Sequence, residues 1–141
     1  MRSYLVVGNE TLDSPTLAAA IIDRQGQGPA TFHVVVPATP IKRGLTWDED
    51  EAREAARERL DAMLARLHGQ HVEVTGEIGA PDPIEAVEDA IRGRRVDEIL
   101  LSTLPPGISR WLGQDVPSRL KGSVMVPVVV LTAERETIRT T

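Results

Sequence analysis

Two short segments concentrate the groups able to hold a ligand. One is Gly8-Asn9-Glu10-Thr11; the other runs from Ser102 to Asp115 and gathers the hydroxyls of Ser102 and Thr103, the glycines Gly107 and Gly113, the Arg110 guanidinium and the Gln114 amide. Hydroxyls, amides and a single cation donate and accept hydrogen bonds, which is the chemistry of recognition. The combinations that break bonds are missing. There is no Gly-x-Ser-x-Gly elbow, no Gly-Lys-Ser/Thr phosphate loop and no His-Glu-x-x-His pattern. The chain has no cysteine, which removes thiol nucleophiles, disulfides and thiolate metal sites together. His68 and His71 flank Gly69 with no carboxylate at ligand spacing, so no metal site is expected. His33, inside an apolar run, reads as a half-buried or edge residue and not as a base. No catalytic residue is assigned, and the expectation is a protein that is not an enzyme.

Composition narrows the ligand class further. Across 141 residues, 16 Lys plus Arg stand against 21 Asp plus Glu, a formal net charge of -5. That balance opposes a polyanion, so no nucleic-acid partner is expected. Aromatic residues are confined to Tyr4, Phe32, Trp47 and Trp111, too few to build a stacking platform for bases. The apolar run at Tyr4-Leu5-Val6-Val7 stops at Gly8 before it could form a signal-peptide core, and no later run approaches membrane-spanning length. The expectation is a cytoplasmic protein with no membrane partner, folded as a single domain over 1–141.

Groups so far apart in sequence need a scaffold to bring them together. Runs rich in β-branched residues at 4–7, 31–36, 71–75, 98–101 and 127–131 read as five strands. Several lack strict alternation, as strands covered on both faces do. Between them lie segments of helical period. One begins in a capping box, Thr46-Trp47-Asp48-Glu49, carries Ala52, Ala56, Leu60, Met63, Leu64 and Leu67 on one face, and stops at Gly69. The acids 48–51 are read as favourable charge at its N-terminus and carry no chemistry. A second helix spans 15–24 after Asp13-Ser14; a third starts at Asp82-Pro83 and buries Ile84, Val87 and Ile91; a short fourth lies around 117–121. The alternation predicts an α/β fold with a five-stranded parallel sheet in the order 3-2-1-4-5 and helices on both faces. In such a sheet the ligand crevice lies beyond the carboxyl ends of strands one and four, where the winding reverses. The two segments named above meet there.

The succession of a first strand ending near Asn9, Val96-Asp97-Glu98-Ile99-Leu100-Leu101-Ser102-Thr103, Gly107-Ile108-Ser109-Arg110-Trp111-Leu112-Gly113 and a last strand Val126-Pro127-Val128-Val129-Val130 resembles the universal stress protein family over nearly the whole chain. The resemblance implies a UspA-like α/β sandwich, often a homodimer through its last strand, with ATP or another adenine nucleotide as the ligand of many members. It also implies a glycine-rich phosphate loop, and here this chain departs. Ser102 and Pro105 stand where the first two glycines are expected, Gly113-Gln114 where a glycine and a hydroxyl are expected after a shortened spacer, and Asn9 near an aspartate on the adenine or ribose side.

The departures have physical consequences of their own. A phosphate cradle needs successive backbone N–H donors, and Pro105 and Pro106 supply none. Asp115, as a cap on the fourth helix, would occupy its positive end. Glu10 and Asp13 add negative charge opposite, leaving Arg110 as the cation of the loop. Binding of a di- or triphosphate is therefore expected to be weak or absent. The leading reading is a non-enzymatic domain with a degenerate ATP site, no cofactor, and a role in protein association or binding of a small ligand through Asn9, Ser102, Thr103, Gly107, Arg110, Gly113 and Gln114. The alternative is an adenine-nucleotide binder using these same residues as a variant loop. Simpler roles stand beside these: Ser102 and Thr103 satisfying strand-end groups, and Trp111 serving as a packing anchor instead of a lid. A phospho-acceptor receiver domain is excluded, because its acid pair, acceptor aspartate and fifth-strand lysine are all missing. The last strand, 124–131, is apolar and poorly guarded by charge, so a homodimer through its edge is expected.

Overall fold

The computed structural model describes residues 1–40 and 49–133; the capping box at Thr46 and the tail from Glu134 lie outside them. Five parallel strands, β1 (Arg2–Val7), β2 (Ala30–Pro37), β3 (Val74–Gly79), β4 (Glu98–Thr103) and β5 (Val128–Thr132), form one sheet in the order β3-β2-β1-β4-β5. Alternation along each strand divides the core in two. Tyr4, Val6, Phe32, Val34 and Leu100 face α1 (Pro15–Gly26) and α2 (Glu49–Gly69), while Leu5, Val7, Val35, Ile99 and Leu101 face α3 (Pro83–Ile91), α4 (Arg110–Gly113) and α5 (Val116–Ser123). Tyr4 stacks on Phe32 across the β1–β2 pair, with ring centroids 5.1 Å apart. This is the predicted architecture in order, direction and layering.

The helix ends follow local chemistry. Ser14 caps α1, its hydroxyl accepting from the N–H of Thr16 and Leu17, and Asp82 caps α3 by accepting from Ile84. Arg24, in the last turn of α1, forms an ion pair with Glu98 at 3.1 Å. On α3 the close contacts are Pro83, Ala86, Val87 and Ala90; Ile84 and Ile91 are only partly buried. Small residues are needed because a Cβ on Gly79 would lie 2.7 Å from the Ala86 Cβ, so α3 rests almost on the β3 backbone.

Two elements depart from the sequence reading. The third strand is not 71–75 but Val74–Gly79. His71 takes a left-handed backbone (φ 63) while the N–H groups of Gln70, His71 and Val72 bond back to the last turn of α2, so chain reversal consumes the first part of the expected strand. Gly76 and Gly79 lie inside β3, where Leu60 of α2 and Ala86 of α3 come close enough to leave no room for a side chain. The helix expected at 117–121 is preceded by a separate turn of helix, α4, and extends over Val116–Ser123.

The amino end of β4 is clamped to β1. The Asp97 carboxylate accepts from the Ser3 N–H at 2.8 Å while the Asp97 N–H donates to the Ser3 carbonyl at 2.7 Å. That backbone donor, and secondarily the Arg95 guanidinium, hold the Asp97 carboxyl below the usual carboxylate range against the opposing effect of desolvation. A carboxyl whose folded pKa is depressed stabilises the fold above its unfolded value of about 3.9 and loses that contribution as the pH falls through the folded value. Urea titrations should therefore show Asp97→Asn losing less stability than the wild type between about pH 6 and pH 3. Parallel acid limbs in the two proteins would contradict this clamp.

Candidate functional site

The carboxyl ends of β1 and β4 open into a shallow crevice, much of it continuous with solvent. Asn9, Glu10 and Thr11 form one wall, Ser102, Thr103 and Leu104 the floor and opposite wall, and Ser109, Arg110 and Trp111 the rim. Four of the predicted residues, Asn9, Ser102, Thr103 and Arg110, thus meet there.

Most of these polar groups are occupied by the protein. Asn9, only 6% exposed, donates through its amide to the Pro37 carbonyl at 2.8 Å and accepts from the Arg59 guanidinium at 2.6 Å. Its expected role as a ligand contact gives way to that of a brace between the ends of β1 and β2 and helix α2. Ser102 and Thr11 form a buried hydroxyl pair at 2.6 Å, which ties the loop after β1 to the end of β4. Gly8 allows this approach, since a Cβ there would lie 3.1 Å from Leu12 and 3.3 Å from Ser102. Arg110 donates to the Pro40 carbonyl at 3.0 Å and so crosses the crevice mouth, while the Ser109 hydroxyl caps α4 by accepting from the Leu112 N–H. Trp111 is 8% exposed and belongs to the core under α3 and α5, as its reading as a packing anchor requires.

Thr103 is different. It is buried to 2% exposure, lines the crevice, and its Oγ1 has no hydrogen-bond partner among the described residues. A buried hydroxyl left unpaired costs about 1–3 kcal/mol; this oxygen is itself enclosed, so a ligand in the crevice pairs with it only when the wall beside it shifts slightly.

Three predicted residues do not line the crevice. Gly107 (φ +94) shapes the turn in which the Ile108 and Ser109 N–H groups bond to the Pro105 carbonyl. Gly113 closes α4 and Gln114 is its C-cap, and their N–H groups bond to Ser109 and Arg110 carbonyls within the helix. Those donors are spent on the helix and do not face a phosphate. Asp115 likewise makes no side-chain cap on α5; it adopts a left-handed backbone (φ 57) and remains exposed. The negative charge on the crevice wall is that of Glu10, not of Asp13 or Asp115.

Sequence reasoning missed Thr39, Pro40 and Arg59. The first two follow β2, and β2 borders β1 opposite β4, so the strand order alone could have added them. Arg59 carries no such signal. Among the described residues that line the crevice there is no His, Lys or Cys. Among the described residues no three potential ligands cluster as for a metal, and no helix is long and apolar enough to cross a membrane.

No family model and no curated protein matches this chain. Among solved structures, a universal stress protein family member from Burkholderia pseudomallei superposes with a TM-score of 0.65 at 21% identity, covering 92% of this chain and 94% of that one. A universal stress protein family protein from Arabidopsis thaliana, solved with AMP bound, superposes with a TM-score of 0.62 at 12% identity, covering 97% and 95%.

Proposed function

We propose that this chain, built on the universal stress protein fold, is a cytoplasmic binding protein whose crevice, itself performing no chemistry, takes a small polar ligand of the nucleoside or nucleoside-monophosphate kind. The buried, unpartnered Thr103 hydroxyl carries the reading. The other polar side chains are already braced, so the crevice is pre-formed and needs little ordering to bind. Two prolines, Glu10 on the wall and the helical use of the Gly113 and Gln114 N–H groups all oppose a polyphosphate. The AMP bound to the Arabidopsis protein of this fold agrees with a monophosphate ligand; the second reading is an adenine-nucleotide site that also takes ATP through the variant loop.

Calorimetry with adenosine, AMP and ATP separates them. Adenosine or AMP should bind at least tenfold more tightly than ATP, and Thr103→Val should weaken that binding by about 5- to 10-fold, the equivalent of one hydrogen bond of about 1–1.5 kcal/mol. ATP binding as tight as AMP would establish the second reading; no binding of any of the three would overturn both.

The same proposal includes a homodimer through β5. Among the described residues this strand pairs only with β4, and its outer edge lies beside partly exposed Val128, Val129 and Val130, with Met125 fully exposed next to it. Light scattering should give twice the chain mass; a monomer at high concentration would remove this part.

A further inference from the structure

At the opposite end of the sheet from the crevice lies a second arrangement that the binding function does not use. Because β3 continues to Gly79, Thr75 and Glu77 lie two residues apart on one face, and the register sets Thr75 opposite His33 and Glu77 opposite Val35. The His33 imidazole is thereby held between them, Nδ1 at 2.6 Å from the Thr75 hydroxyl and Nε2 at 2.6 Å from a Glu77 carboxylate oxygen. His33 is 9% exposed, on a strand interior to the sheet, whereas Thr75 is exposed. Both residues are on the sheet face that carries α3. His33 and Thr75 also line an open surface depression, together with Arg94 and Arg95.

A hydroxyl bonded to an imidazole whose other nitrogen is bonded to a carboxylate is the arrangement that activates an alcohol as a nucleophile. The carboxylate accepts from Nε2–H, which leaves the Nδ1 lone pair to accept from the hydroxyl. We propose that Thr75, His33 and Glu77 form an acyl-acceptor site for small activated esters. Thr75 Oγ1 forms a bond to the ester carbonyl carbon as its proton passes to His33 Nδ1. The carbonyl electron pair moves onto oxygen and returns as the bond to the leaving alkoxide or phenolate breaks. An alkoxide takes the proton from Nδ1, whereas a phenolate leaves as the anion and the Nδ1 proton passes to solvent; the acyl group stays on Thr75. Water, giving its proton to Nδ1 in the same way, then releases the carboxylic acid and restores the hydroxyl. Thr75 is the catalytic nucleophile and His33 the catalytic base; Glu77 is a positioning residue that selects the tautomer.

The test uses the full chain and p-nitrophenyl acetate. The expected result is a burst of p-nitrophenolate approaching one equivalent, with an acetyl group mapped by mass spectrometry to Thr75. The chain has only two lysines, Lys42 and Lys121, so acetylation of amino groups is readily distinguished. Thr75→Val, isosteric at an exposed position, should abolish the burst with the melting curve unchanged, and His33→Gln should slow it about 100-fold or more. Glu77→Gln should slow it too, and ¹⁵N spectra of His33 should change from a single Nε2–H tautomer to a mixture, which loss of packing alone would not produce. A burst that persists in Thr75→Val, acetylation confined to amino groups, or no burst at all would each overturn the proposal.

Discussion

Replacing Asn9 by leucine should lower the unfolding free energy by about 3 kcal/mol. Two buried hydrogen bonds of about 1 kcal/mol each are lost, and the Pro37 carbonyl and the Arg59 guanidinium are left without the partner that faced them. Asn9→Asp separates the two contributions. A carboxylate still accepts from Arg59 but turns a second acceptor toward the Pro37 carbonyl, so this variant should fall between the leucine variant and the wild type. Urea denaturation measures both. A cost below about 1 kcal/mol for Asn9→Leu would mean that the brace contributes little and that Asn9 is retained for ligand contact.

Trp111→Ala should cost about 3–5 kcal/mol, as expected when a large aromatic is removed from a packed interior. Trp111 is shielded among Val116, Leu120 and the residues of α3 in the core of that face, and only its edge reaches the crevice rim. Trp111→Phe should retain most of the stability, since the rim contact is dispensable but the filled volume is not. A lid would show the reverse pattern: unaltered stability and a large loss of ligand affinity. Chemical denaturation and ligand calorimetry on the same two variants decide between anchor and lid.

Much of this protein was legible from local pattern. Strands at 4–7, 31–36 and 98–101 each lie within an observed strand, the caps at Ser14 and Asp82 function as read, and the inward stripe of α2 buries Ala56, Leu60, Met63 and Leu67. The error at β3 has a definite cause. Glycine is a stop signal when only the chain is considered, but Gly76 and Gly79 are where two helices come close enough to exclude a side chain. That shift hid the Thr75 and Glu77 pair, and with it the role of His33, which had read as a mere strand residue. In the crevice, Asn9, Ser102, Thr103 and Arg110 were found because strand order places them at the reversal point. Gly113 and Gln114 were misplaced because a loop position cannot reveal that α4 claims their N–H groups.

Element order, sheet direction and the face each strand residue presents come from short-range periodicity, and the sequence alone contains these. Which polar atom is satisfied and which is left over is decided between distant residues: Asn9 with Arg59 across 50 positions, His33 with Glu77 across 44, and Thr11 with Ser102 across 91. No local preference encodes those partners, because a hydrogen bond depends on ångström-scale approach that only the packed helices and the sheet register provide. The Thr103 hydroxyl, without a hydrogen-bond partner among the described residues, is the clearest case, since tertiary packing and not local pattern decides whether a buried hydroxyl is paired.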